Sequence, residues 1–400
     1  MRKPSLLMIT IELPFPASSG GRMKSWNMLK YLQSHFDVTL VTPLKYGSDY
    51  LDEFAHKTQL KGFYHDRVEI PRSAKNLALS YLLARPLNVL RSGSSQLKER
   101  VESIAADYDY ILLDHYESFQ YLPASYAGKV ILHTHNATYL MWERYAEAGD
   151  SLAIRAASAL EAKRVKRYEL AACQRADLIF ASPNDIDNLV AIGANRSKFR
   201  ETFHLGDDSQ LELPDMEFDS TQLKLFYVGT LNWEANIDGL LWFFERVWPA
   251  LKIKHPQLTF EIAGGKPDNR IVEAIRSLTD VKLLGFVDDL EPHFNSSRVF
   301  VSPLLFGSGI KVKVLNAMCR GIPTVTTPVG AEGLAAEDMK HLSINHNASD
   351  MVDSIDRLLV DKVAWTTLRD ESRALVKSRY TWSKVLGYMV EEISALSPRH

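Results

Sequence analysis

Short apolar runs rich in β-formers recur along the chain, and between them apolar positions return every three or four residues. The first pattern predicts buried strands and the second amphipathic helices. Residues 6–10 read as a strand, followed by a Pro-, Ser- and Gly-bearing loop, a helix to about His35 and a strand over 38–42. Residues 75–106 hold helical patterns in which Leu77, Leu79, Tyr81, Leu82, Leu83 and Leu90 alternate with Arg85 and Arg91. Strands follow at 110–113 and 130–134, then a long helix over 151–175, a strand over 177–182, a helix opened by Pro183 and a strand over 199–205. Residues 209–221 are polar and acidic, as in a linker.

The alternation then restarts. Strands are expected at 225–229, 258–263, 281–284 and 299–301, with an aromatic-rich helix over 237–251. A helix over 311–320 stops at Gly321 with Pro323 behind it, and a further strand precedes Gly330. Two successive runs of alternating strands and helices predict an α/β protein of two doubly wound, Rossmann-like parallel-sheet domains, with ligand held in the cleft between them.

In such sheets ligands gather beyond the carboxyl ends of the strands. His115 and His135 follow two predicted strands, and Gly20-Gly21 follows a third. Alternation along a strand would give His133 and His135 one face, with His133 inside the sheet and His135 at its end. The glycines form no GxGxxG, so a dinucleotide site is not supported. Phe306-Gly307-Ser308-Gly309-Ile310 leads into the helix that carries Lys311 and Lys313. A glycine-bearing turn at a helix start exposes backbone N–H groups and the positive end of the helix dipole, which together suit an anion. Two lysines in a first turn, where the dipole alone disfavours a cation, point to phosphate.

Composition adds mostly exclusions. Four hundred residues with 46% hydrophobic character can bury two cores, and a formal net charge of -2 offers no general attraction for nucleic acid. Cys173 and Cys319 lie in no metal-ligand spacing, as expected in a reducing cytosol. The apolar run after Met1-Arg2-Lys3 is too short for a signal peptide, and no segment nears the roughly 18 apolar residues that cross a bilayer. Any membrane contact is therefore peripheral; the Leu- and Arg-bearing helices of 75–106 have the composition of such a surface but read better as ordinary helices packed on a sheet.

Residues 307–318, Gly-Ser-Gly-Ile-Lys-Val-Lys-Val-Leu-Asn-Ala-Met, with Gly321-Ile322-Pro323, resemble the donor signature of the GT4-like glycosyltransferases of the GT-B fold. Val228-Gly229-Thr230-Leu231-Asn232-Trp233, Gly285-Phe286-Val287 and Ile131-Leu132-His133-Thr134-His135-Asn136 resemble other segments of a bacterial branch of that family. The resemblance implies three regions: an acceptor-side domain over 1–208, a nucleotide-sugar domain over 222–380, and a terminal helix over 381–400 crossing back to the first domain. It implies donor contacts at Gly20, Gly21, Gly229, Phe286, Val287, Gly307, Ser308, Gly309, Ile310 and Asn316. It also implies catalytic parts for His135, Lys311 and Lys313, with His133 in a supporting place.

The implied activity is retaining transfer of a sugar from a nucleotide-sugar to a glycan or lipid-linked acceptor. It would need no cofactor, with the loop, dipole and lysines in place of a metal. The setting would be bacterial surface polysaccharide synthesis at the cytoplasmic membrane face. Where most members carry two glutamates, this chain has Ser308 and Asn316, and a neutral amide should weaken donor contact by roughly 1 kcal/mol. That departure keeps a second reading open, a degenerate protein binding a nucleotide or a partner transferase. A third is a sugar-nucleotide epimerase, for which the loop lacks carboxylates.

Overall fold

A computed structural model describes residues 3–17, 19–45, 50–71, 73–148, 151–203, 205–307 and 309–396. The chain forms two compact units, Met1–Phe203 with Val385–His400, and His204–Lys384.

The first unit is built on seven strands: β1 (Ser5–Ile9), β2 (Asp37–Leu44), β3 (Gly62–Arg67), β4 (Tyr110–Asp114), β5 (Lys129–His133), β6 (Leu178–Ala181) and β7 (Phe199–Glu201). They lie in the order β3-β2-β1-β4-β5-β6-β7, every neighbouring pair parallel. Helices cover both faces, so the central strands are continuous apolar runs; Leu6, Leu7, Met8 and Ile9 are all fully buried. The strand order reverses between β1 and β4, which opens a crevice at their carboxyl ends.

The second unit repeats the plan with β8 (Gln222–Val228), β9 (Thr259–Ala263), β10 (Val281–Gly285), β11 (Ser297–Ser302), β12 (Thr324–Thr326) and β13 (Ser343–Ile344). Its parallel order is β10-β9-β8-β11-β12-β13, so the corresponding crevice lies between β8 and β11.

Several boundaries differ from those the sequence suggests. The expected helix over 237–251 is two, Glu234–Arg246 and Trp248–Lys254, because Pro249 has no N–H to continue the ladder. Strand β7 is three residues long, and the chain leaves the first unit at Phe203 rather than after Asp208. The stretch 209–221 is no free linker. Arg373 donates to the carbonyls of Leu211 and Leu213, Arg320 to that of Pro214, and Arg369 to that of Met216, which straps it to the second unit. The last helix, Trp382–Ala395, belongs to the first unit from Val385, where Tyr110 donates to the Leu396 carbonyl and Arg200 pairs with Glu392.

Candidate functional site

At the β1/β4 crevice the first unit gathers an unusual density of titratable side chains. The helix Gly20–His35 starts there, capped by Ser19, so Gly20 and Gly21 form its first turn instead of the expected loop. Their N–H groups are among the four that a helix start leaves unpaired. Asp114 ends β4 and is 1% exposed. Its Oδ1 accepts from His133 Nδ1 at 2.7 Å and His135 Nε2 at 2.9 Å, and its Oδ2 accepts from Ser25 Oγ at 2.5 Å. His115 stacks on His135 with ring centroids 3.7 Å apart and planes at 20°.

His115 holds φ 73° and ψ 150°, a backbone region that suits glycine almost alone and costs other residues about 1–3 kcal/mol. Such strain persists only where the surroundings over-determine it. Burial is the main force on the three histidines: it pushes His115 down to about 3 and His133 and His135 to about 4, which leaves all three neutral near pH 7. Burial alone would raise Asp114, but the histidine contacts hold it well below the usual carboxylate range. Lys24, buried on the same helix, is pushed down to about 8 by burial against the pull of Asp114 and Asp185.

Asp114, His115 and His135 bring ligand atoms within 4.8 Å of one another, a spacing that suits a metal. Two of those atoms, Asp114 Oδ1 and His135 Nε2, already satisfy each other. The price of the arrangement falls on His133, whose Nε2 is buried without a partner.

The second unit's crevice is built differently. Gly307 at φ 130° and Gly309 at φ 75° take conformations that a side chain would oppose, and they fold the loop after β11 back to the helix Val312–Arg320. Lys311 occupies the N-cap; its Nζ donates to the Gly309 carbonyl at 2.5 Å and lies 3.5 Å from Glu332. Lys313 turns inward. Its Nζ reaches Tyr227 Oη at 2.8 Å and Asn236 Oδ1 at 2.6 Å, and it sits 4.4 Å from the Tyr227 ring centre. Among the described residues no carboxylate pairs with it. Burial, and secondarily Lys311, pushes Lys313 down to about 7.

Gly229 belongs to this cluster: a Cβ there would stand 2.7 Å from Tyr227 Oη. Phe286 is 77% exposed beyond β10, beside Gly265, while Val287 packs on the core. Ile310 lies against Gly333. Ser308 falls outside the described residues. Asn316, a donor contact by the resemblance, has its Oδ1 accepting from the Asp207 N–H at 2.9 Å, beside Gly206.

Sequence reasoning did not nominate Asp114, Ser25, Lys24, Tyr227 or Glu332. Asp114 alone carried a legible signal, an acidic residue closing an apolar strand at the switch point.

Residues 222–361 match the family described as Glycosyl transferases group 1. The match lies wholly within the second unit. A Klebsiella pneumoniae protein, described as an uncharacterized 44.6 kDa protein in the cps region, is 24% identical over 85% of this chain and 87% of its own length. HepE from Anabaena, solved with UDP, is 14% identical over 98% of this chain and 100% of its own, with a TM-score of 0.67. Sucrose-phosphate synthase from Thermosynechococcus elongatus is 17% identical over 99% and 100%, with a TM-score of 0.65. The architecture is that of GT-B glycosyltransferases, and this chain carries it over nearly its full length.

Proposed function

We propose that this glycosyltransferase moves a sugar from a nucleotide-sugar to a glycan or lipid-linked acceptor in surface polysaccharide synthesis, with retained anomeric configuration and no metal. One observation carries the donor half: Lys313 is a half-buried amine with two neutral oxygens and, among the described residues, no carboxylate beside it. An ammonium taken out of water needs a counter-charge. It lies at the switch point beside the Gly307–Gly309 turn, whose amides and helix dipole favour the same kind of ligand. A diphosphate supplies that charge and needs no ion to do so.

In this reading Lys313 neutralises the leaving diphosphate directly, and Lys311, already beside Glu332, supports it. The amides of Gly307, Gly309 and Ile310 cradle the phosphates. Gly229 lets them approach Tyr227, Phe286 and Val287 flank the base, and the Asn316 amide group still has N–H hydrogens for a ribose hydroxyl. His135, Gly20 and Gly21 are the first unit's candidate sugar contacts. HepE was solved with UDP and the Klebsiella relative lies in a cps region, which supports a nucleotide-sugar donor and a polysaccharide product.

The acceptor reading adds a peripheral place at the cytoplasmic face of the inner membrane. Among the described residues no helix is long and apolar enough to cross a membrane. Leu82 and Leu83 close the helix Ala74–Leu82, while Leu152, Ile154 and Leu160 lie on Leu152–Arg175; all five are exposed. Arg164 ties the two helices together through the Ser80 carbonyl. Exposed leucines among Lys and Arg suit an anionic lipid surface.

The test is a thermal-shift screen of nucleotide diphosphates and their sugars in chelator, followed by a transfer assay that reads product anomer. A ligand at 100 times its Kd adds about 2.7 kcal/mol of stability. Silence across the panel, or an equal response from Lys313→Met, sinks the donor assignment. Binding without turnover across the donor and acceptor panel turns the protein into a nucleotide binder.

A further inference from the structure

We propose that Asp114 and His115 are positioning residues that hold His135 as a hydrogen-bond acceptor, so that the group it meets is a hydroxyl and the sugar it selects is neutral rather than a uronic acid. The choice of sugar rests on the transfer reading above; the wiring of the ring does not.

The wiring follows from counting hydrogens. A carboxylate has none to give, so both ring nitrogens that face Asp114 Oδ1 carry theirs: His133 at Nδ1 and His135 at Nε2. A neutral imidazole has one N–H. His135 Nδ1 is therefore a lone pair, and it faces the first turn of the helix Gly20–His35, where a Cβ on Gly21 would stand 3.7 Å away. The unpaired N–H groups and positive dipole of that turn oppose a proton on Nδ1. The titratable groups around the ring are Asp114, His115, His133 and Lys24, and three of the four resist a second positive charge.

His115 supplies the second argument. Glycine would take its φ of 73° and ψ of 150° without strain, yet the chain places an imidazole there and stacks it on His135 at 3.7 Å. A ring at that position covers one face of His135 and excludes water from it. A lone pair fixed in this way accepts from a hydroxyl and repels a carboxylate.

Long-range nitrogen–proton spectra of the full chain labelled with 15N-histidine read the wiring without any assay of transfer. The wild type should show His135 as the Nε2–H form at pH 7, and Asp114→Asn should shift it toward Nδ1–H. His115→Gly should fold with an unchanged or higher Tm, because glycine accepts that backbone. It should also make His135 titrate at higher pH and lower kcat/KM at least fivefold. A neutral hexose donor should be preferred at least tenfold over the uronate on the same nucleotide. An Nδ1–H ring in the wild type, or His115→Gly with wild-type titration and kinetics, overturns the positioning roles, whatever the protein transfers. Equal use of hexose and uronate overturns the selectivity and leaves the wiring. A protein with the expected ring but no transfer to any acceptor loses the transfer reading instead.

Discussion

At the switch point of the first sheet the Asp114 carboxylate accepts from His133, His135 and Ser25, and buried Lys24 lies near it. At the switch point of the second sheet the Lys313 ammonium meets one phenol and one amide oxygen and, among the described residues, no opposite charge. The same topology thus supports two kinds of polar site. One is closed, its charge already spoken for by the protein and its value lying in how it aims a ring. The other is left short of charge, and its value lies in what it will admit.

The contrast breaks most visibly in stability. Asp114→Ala leaves three donors without their acceptor and Lys24 without a nearby opposite charge, and removing one partner of such a buried set costs about 3–5 kcal/mol. The ligand-free unfolding midpoint should drop sharply. Lys313→Met removes a half-buried amine that has no carboxylate beside it among the described residues, and should leave the ligand-free midpoint level or raised. If both substitutions destabilise alike, Lys313 has a counter-charge within the fold and the distinction fails.

The next effect lies in binding. A charge-assisted bond to phosphate is worth about 1.5–3 kcal/mol, so Lys313→Met should weaken a nucleoside diphosphate by about tenfold to a hundredfold. Titration calorimetry with the diphosphate identified in the screen checks this. Lys311→Met should cost less, since its ammonium already faces Glu332.

Raising the pH should stabilise both sites, each in its own window. The histidines titrate at about 3 to 4 in the fold and at 6.5 when unfolded, so the unfolded chain binds more protons between those values. Their contribution is present above pH 6.5 and is lost as pH falls through 4. Lys313 moves from about 7 in the fold to 10.5 unfolded, so the unfolded chain again binds more protons, now between pH 7 and 10.5. Its penalty is full below pH 7 and fades as pH rises. A bound phosphate restores its proton. Diphosphate binding should therefore take up a proton and weaken above pH 7 by up to about tenfold per pH unit, a slope that vanishes in Lys313→Met. Calorimetry at pH 7, 8 and 9 in buffers of different ionisation heat measures both quantities.

The parts of this picture that the sequence made legible are those set by local periodicity. The apolar runs that became β1, β4, β8 and β11 are buried on both faces, so their composition alone marks them. The glycine turn and helix stop at 307–321 are local chemistry as well. The Asp114 network was not legible in the same way, because it joins residues 25, 114, 133 and 135, which only the parallel register brings together. The strap over 209–221 reads as a linker for the same reason: its hydrogen-bond partners, Arg320, Arg369 and Arg373, lie far along the chain.

Asn316 yields the smallest effect and the sharpest discrimination. The resemblance casts its side chain toward ribose, while the fold shows its Oδ1 accepting from the Asp207 N–H. The two uses are compatible, since one employs the oxygen and the other the amide hydrogens. Asn316→Ala removes both and should cost about 0.5–1.5 kcal/mol of stability, the net worth of one hydrogen bond. If the amide also reaches ribose, donor KM should rise by a similar energy, about twofold to tenfold, at constant kcat, as loss of uniform binding does. A lowered Tm with unchanged KM would make Asn316 a clasp for residues 206–207 alone. The base and ribose would then be held by the loop after β10 and by backbone, and the missing glutamate of the family would have been replaced by a structural residue.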